Sequence, residues 1–229
     1  MQKLEKFQAI YQRACERKGG PKVLDSLLSK PLSDSQLAKV GDDRFLAELT
    51  KKVFQSGFVW RVVRNKWPDF ERVFWQFDID KLLMMPDEML ESKAQDPAII
   101  RNFSKVKTIR ENALMIDSIR REHGSFAKFI AQWPTNDIIG LWHFLKKSGA
   151  RLGGNTGPYA LRALGKDTFL LTRDIEMYFR QRDVISGGLQ TKGSLNAIQH
   201  SFNELQQQSG RSLQEISIII ANSVGDNYA

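Results

Sequence analysis

The stretch "LKKSGARLGGNTGPYALRALGKDTFLLTRDIEMYF", Leu145 to Phe179, sets a glycine-rich turn between two segments of helical pattern and closes on a third that opens with an acid, Asp174. Glycine tolerates positive φ and leaves neighbouring N–H groups unshielded. The run "GGNTG" can therefore reverse the chain tightly and let a phosphate reach the backbone, while the following helix turns its positive end to the same anion. Gly153, Gly154, Thr156 and Gly157 are the candidate backbone contacts of such a helix-hairpin-helix element. Lys146, Lys147 and Arg151, just ahead of the turn, add attraction for a polyanionic strand. The same spacing also suits a helix closed by a glycine cap at Gly149 and an ordinary loop. Both readings stay open on spacing alone.

Asp174 stands at the head of "DIEMYFR". A carboxylate there can stabilise the positive charge that develops on deoxyribose as an N-glycosidic bond breaks, or orient an attacking water. It can equally be a helix N-cap. An amine nucleophile would need a lysine at the mouth of the turn, and Gly157 is followed instead by Pro158, Tyr159 and Ala160. Any glycosidic chemistry is therefore expected to be hydrolytic only.

Apolar residues recur at helical spacing nearly throughout, with no long alternating run, so the fold is expected to be all-α. Val106, Ile109, Ala113, Ile116 and Ile119 form the clearest stripe, expected over about 104–121 with Ser104 as N-cap. Other expected helices cover about 3–17, 43–56, 58–65, 68–75, 79–84, 87–93, 125–132, 136–148, 158–164, 174–181, 192–208 and 212–223. Asp78, Pro86 and Thr135 or Asp137 supply start signals for three of them. Glycine-rich and proline-rich connections suggest an N-terminal helical extension (1–41), a functional body (42–185) with its hairpin at 145–165, and a C-terminal helical extension (186–229) packing on the body.

The 229 residues are 41% hydrophobic and carry a formal net charge of +8, which suits a helical globule that meets a polyanion. The single cysteine excludes an internal disulfide and fits a reducing compartment. The charged start "MQKLEKFQAIYQRACERKGG" has no apolar signal core, so a cytoplasmic, nucleoid-associated protein without membrane attachment is expected.

Four stretches carry a family resemblance: "FQSGFVW" (54–60), "FERVFWQFDIDKLLMMPDEMLES" (70–92), "PAIIRNFSKVKTIRENA" (97–113) and "LKKSGARLGGNTGPYALRALG" (145–165). In order and spacing the chain from about 42 to 180 resembles DNA-3-methyladenine glycosylase I of the helix-hairpin-helix glycosylase superfamily. The resemblance implies that Trp60 is the wall against which an extruded base stacks, that Gly57 and Phe58 fill the gap in the duplex, and that Gln55 is available for hydrogen bonding. Without it, Trp60 among Val59, Val62 and Val63 reads as a core aromatic.

Two departures accompany it. Counting back from Trp60, the family's base-reading glutamate falls on Lys52, a cation that cannot accept a hydrogen bond and would repel a charged alkylated purine. The family's zinc site of two Cys and two His has no counterpart in Cys15, His123, His143 and His200, so neither metal nor other cofactor is expected, and the added terminal helices are expected to take over its clasp. The implied protein is a monomeric DNA repair glycosylase acting on duplex DNA that holds a damaged, chiefly alkylated, purine. A non-catalytic relative that binds damaged or distorted DNA, and a helical protein-interaction module, are the alternatives.

Overall fold

The computed structural model describes residues 5–225, and among them the chain is all-α, without a strand. In chain order the first helices are α1 (Phe7–Lys18), α2 (Pro21–Ser26), α3 (Asp34–Leu37), α4 (Asp42–Gln55), α5 (Trp60–Val73), α6 (Ile79–Leu83) and α7 (Asp87–Ala94). They are followed by α8 (Phe103–His123), α9 (Phe126–Gln132), α10 (Ile138–Ser148), α11 (Thr156–Leu164), α12 (Arg173–Gln181), α13 (Lys192–Ser209) and α14 (Leu213–Asn222). Two compact units share these helices. Of the described residues, one gathers those as far as Leu32, Pro134–Gly140 and those from Asp167 onward; the other holds Ser33–Trp133 and Leu141–Lys166.

In the second unit α4 packs on α8 and α11. Phe45, Leu49 and Val53 repeat at four-residue intervals on α4 and are buried, as are Val106, Ile109, Ala113 and Ile116 on α8. The start of α8 is not at Ser104: Asn102 caps it, its side chain accepting from Lys105 N at 3.0 Å, two residues closer to the preceding loop. Asp42 leaves α4 to cap its neighbour, each carboxylate oxygen accepting a backbone N–H, from Phe126 and Ala127, at 3.0 Å.

Residues 58–75 do not form two helices, because α5 runs through Pro68 without a break. An aromatic stack keeps its two halves in line: Trp67 lies 5.3 Å from Phe70 and 5.4 Å from Phe77, and Phe70 meets Phe54 edge-on at 4.7 Å. The stack depends on Trp75, Gln76 and Phe77, all left-handed with φ of 52°, 57° and 60°. Such residues cost about 1–2 kcal/mol each. Burying Phe77 and satisfying the Gln76 carbonyl with Arg44 offset that cost.

In the other unit α14 starts at a capping box formed by Ser212 and Glu215. Asp167 adds its carboxylate, accepting from Leu213 N at 3.1 Å and Gln214 N at 2.9 Å. Phe169 stacks on Phe202 with ring centroids 4.1 Å apart. Arg13 and Arg17 of α1 close the far end of α14 by donating to the carbonyls of Ser223 and Asn222.

Candidate active site

The end of α4, the start of α5 and the start of α11 enclose a cavity of about 250 Å³ lined by Lys52, Gln55, Ser56, Trp60, Asn155, Thr156 and Tyr159. Trp60 keeps 48% of its surface exposed while Val63, one turn on, is fully buried, so Trp60 is not a core aromatic. Its indole stands edge-on to the Tyr159 ring at 6.1 Å and 84°. Lys52, the position where the resemblance puts a glutamate, does line this cavity. Its Nζ lies 3.0 Å from Glu48 Oε1, donates to Gln55 Oε1 at 3.2 Å, and sits 5.6 Å from the centroid of Trp60.

The segment between α4 and α5 is braced from below. Phe58 stacks on buried Phe54 at 6.3 Å, with Lys105 Nζ 5.5 Å from the Phe58 ring. Lys105 is 6% exposed and donates to the Val53 carbonyl and, at 3.3 Å, to Ser56 Oγ, closing the negative end of α4. Burial, with repulsion from Arg151, holds its ammonium below the ordinary lysine range. A Cβ on Gly57 would stand 3.2 Å from Lys105 Nζ, so the lysine would have to give way by a few tenths of an ångström.

The stretch at 149–155 is a hairpin turn between α10 and α11. Gly149 N–H donates to Leu145 O at 2.9 Å, and a Cβ on Gly149 would strike Leu152. Arg151 and Gly154 reverse the chain with φ of 59° and 60°. Arg151 also donates to Ser104 Oγ at 2.6 Å. Gly157 N–H is engaged by Leu152 O at 3.1 Å, and a Cβ there would lie 2.8 Å from that oxygen, so this glycine is required for packing. Thr156 N–H donates to Gly153 O at 3.3 Å, and Thr156 itself lines the cavity. The N–H groups of Gly153 and Gly154 have no acceptor among the described residues, and Lys146 and Lys147 are exposed beside them.

Asn112, fully buried on α8, fixes the turn by pairing with both backbone groups of Ala150. It escaped the sequence reading. Its one signal there was an amide inside the apolar stripe of α8, where a buried polar group requires partners.

Asp174 belongs to the other unit, in the first turn of α12. It is not the N-cap: Thr172 is, its hydroxyl accepting from Ile175 N at 3.4 Å. Gly225, at φ 71°, comes close enough that a Cβ would stand 2.7 Å from Asp174 Oδ1. Cys15, His123, His143 and His200 lie on four different helices, α1, α8, α10 and α13, and no cluster of three or more His, Cys, Asp or Glu side chains suited to a metal occurs among the described residues. The zinc of the resembled family does not fit this donor set. No helix among the described residues is long and apolar enough to cross a membrane.

The fold matches that of 3-methyladenine DNA glycosylase I from Staphylococcus aureus at a TM-score of 0.51 and 20% identity, over 67% of this chain and 92% of that one. It also matches the 8-oxoguanine glycosylase/lyase of Methanocaldococcus jannaschii, in complex with a 15mer DNA containing 8-oxoguanine, at a TM-score of 0.52 and 14% identity, over 93% and 95% of the two chains. The protein thus has the fold of the helical DNA glycosylases. A family model described as methyladenine glycosylase matches residues 36–160, which hold both the lined cavity and the hairpin turn. The chain belongs to the methyladenine glycosylase family, and is a DNA glycosylase, an N-glycosyl hydrolase.

Proposed function

We propose that this DNA repair glycosylase draws one damaged base out of duplex DNA into the cavity between α4, α5 and α11 and hydrolyses its N-glycosidic bond. The observation that carries the reading is the exposed Trp60, edge-on to Tyr159 in the lining of a cavity of about 250 Å³, since an extruded base needs an aromatic platform and a confined space. Phe58, braced on Phe54, is the apolar wedge that fills the vacated step with Gly57. Gly153, Gly154, Lys146, Lys147 and Arg151 hold the strand at the hairpin, with Thr156 and Gly157 setting the start of α11.

Asp174 is proposed as the carboxylate that stabilises the oxocarbenium-like sugar, on the strength of the resemblance and its place after the hairpin. No lysine follows Gly157, which supports hydrolysis without strand cleavage. The partner is duplex DNA with a damaged base, and the protein acts as a monomer in the cytoplasm, at the nucleoid. The two added terminal helical segments serve as extensions to the glycosylase body.

Incubating duplexes that each hold one damaged base with the protein, and then treating them with hot alkali, tests the reading. Breaks at the damaged position only after alkali are expected. Breaks before alkali would assign a lyase instead, and none on any damaged duplex would leave DNA binding alone.

A further inference from the structure

The polar groups of the cavity make one demand on its occupant. Lys52 lines the cavity and has three N–H donors, of which Glu48 and Gln55 take two, which leaves one for an occupant. Because Gln55 Oε1 accepts from Lys52, the Gln55 amide is fixed with its Nε2 donors directed away from that contact. Thr156 and Tyr159 add hydroxyls, and no lining side chain is acidic. Glu48, the nearest carboxylate to Lys52, stands one turn back on α4 outside the lining and serves to hold the ammonium in place.

A cationic alkylated purine would meet a fixed ammonium of its own sign with no facing carboxylate. A neutral purine with a 6-carbonyl presents O6 as an acceptor to that N–H; in hypoxanthine N7 accepts beside it, the edge that a lysine reads in guanine, whereas in 8-oxoguanine N7 carries a hydrogen and O6 accepts without it. We infer that Lys52 makes this pocket select neutral 6-oxopurine lesions, such as hypoxanthine or 8-oxoguanine, over cationic N-alkylated purines. This rests on the glycosylase reading above. Undamaged guanine shares the edge but is held in a sound pair, whereas a mispaired or damaged base is extruded at lower cost.

The test is single-turnover base release by the full-length protein from duplexes containing hypoxanthine opposite thymine, 8-oxoguanine opposite cytosine, or 3-methyladenine. At least one 6-oxopurine should be released about tenfold or more faster than 3-methyladenine. K52E should invert that ratio. K52M, which keeps the stem without the charge beside Glu48, should abolish the preference while circular dichroism and affinity for undamaged duplex stay unchanged. Faster release of 3-methyladenine by the wild type, or a ratio unmoved in both variants, would overturn the inference while the glycosylase reading stood. No release from any duplex would overturn both.

Discussion

Asn112 holds Ala150 from both sides: its Oδ1 accepts the Ala150 N–H at 2.8 Å and its Nδ2 donates to the Ala150 carbonyl at 3.2 Å. A side chain on α8 thereby does for the hairpin turn what a neighbouring strand does in a sheet. Asn112→Ala leaves both Ala150 backbone groups without that partner in a part-buried place, which costs up to about 1–3 kcal/mol each, less where water reaches them. The expected outcome is a loss of about 2–4 kcal/mol in urea unfolding, with weaker binding to undamaged duplex as the turn loosens. Wild-type stability and affinity in this variant would show that Asn112 does not hold the turn.

Trp60 separates stability from recognition. Because nearly half of it is exposed, Trp60→Ala should change the midpoint of unfolding little. Loss of the stacking platform should weaken binding to a duplex with a damaged base by about 1–3 kcal/mol and leave undamaged duplex nearly unaffected. Competition binding with the two duplexes measures the difference directly. Equal loss on both would place Trp60 against the backbone rather than the base.

Asp174→Asn keeps the volume and polarity of the side chain. If the carboxylate acts on the sugar, base release under single-turnover conditions should fall about 10²–10⁴-fold with little change in affinity. Since Thr172 supplies the cap of α12, the substitution should not unravel the helix. An unaltered rate would reduce Asp174 to a favourable charge at the positive end of α12.

The glycines of the turn are not equivalent. Gly154→Ala adds a Cβ into open space at φ 60°, a conformational cost of about 1 kcal/mol. Gly157→Ala drives a Cβ to 2.8 Å from Leu152 O and 3.3 Å from Leu145 Cδ1, so the start of α11 must shift. Gly157→Ala should therefore lower both stability and DNA affinity well beyond Gly154→Ala. Equal effects in thermal unfolding would mean that φ, not the close approach, governs the turn.

Much of the fold was legible because burial follows a period that sequence preserves. The stripe of α8 and the starts at Asp78 and Pro86 stand where the pattern put them. The short helices α2 and α3 were missed although their signals, Pro21 at N1 and a Ser33–Gln36 capping box, are local. Their brevity hid them, since a single turn shows no period. The left-handed run Trp75–Phe77 and the passage of α5 through Pro68 had no propensity signal, because both depend on an aromatic stack of Phe54, Trp67, Phe70 and Phe77 that forms only when α4 and α5 pack. In the cavity the sequence could name Lys52 and Trp60, but only the packing of α4 against α11 shows that both line one space.

Acid should act in part through Glu5. Hydrogen bonding to Arg13, with Arg182 beside it, holds this carboxyl at about 2 against an ordinary value of 4.5, despite partial burial that works in the opposite sense. A depressed folded-state value means that the unfolded chain binds the proton more readily. The stabilisation is then complete above about pH 4.5 and is lost as the pH falls towards 2. Allowing for solvent screening of side chains that keep about a quarter of their surface exposed, the amount at stake is on the order of 2–3 kcal/mol. Urea unfolding of the wild type should weaken between pH 4.5 and 2, whereas Glu5→Gln should start weaker at neutral pH and lose less over that interval. Parallel pH profiles for the two proteins would assign the acid sensitivity to other carboxylates, with Asp117, paired with Arg120 and Arg121, the next to substitute.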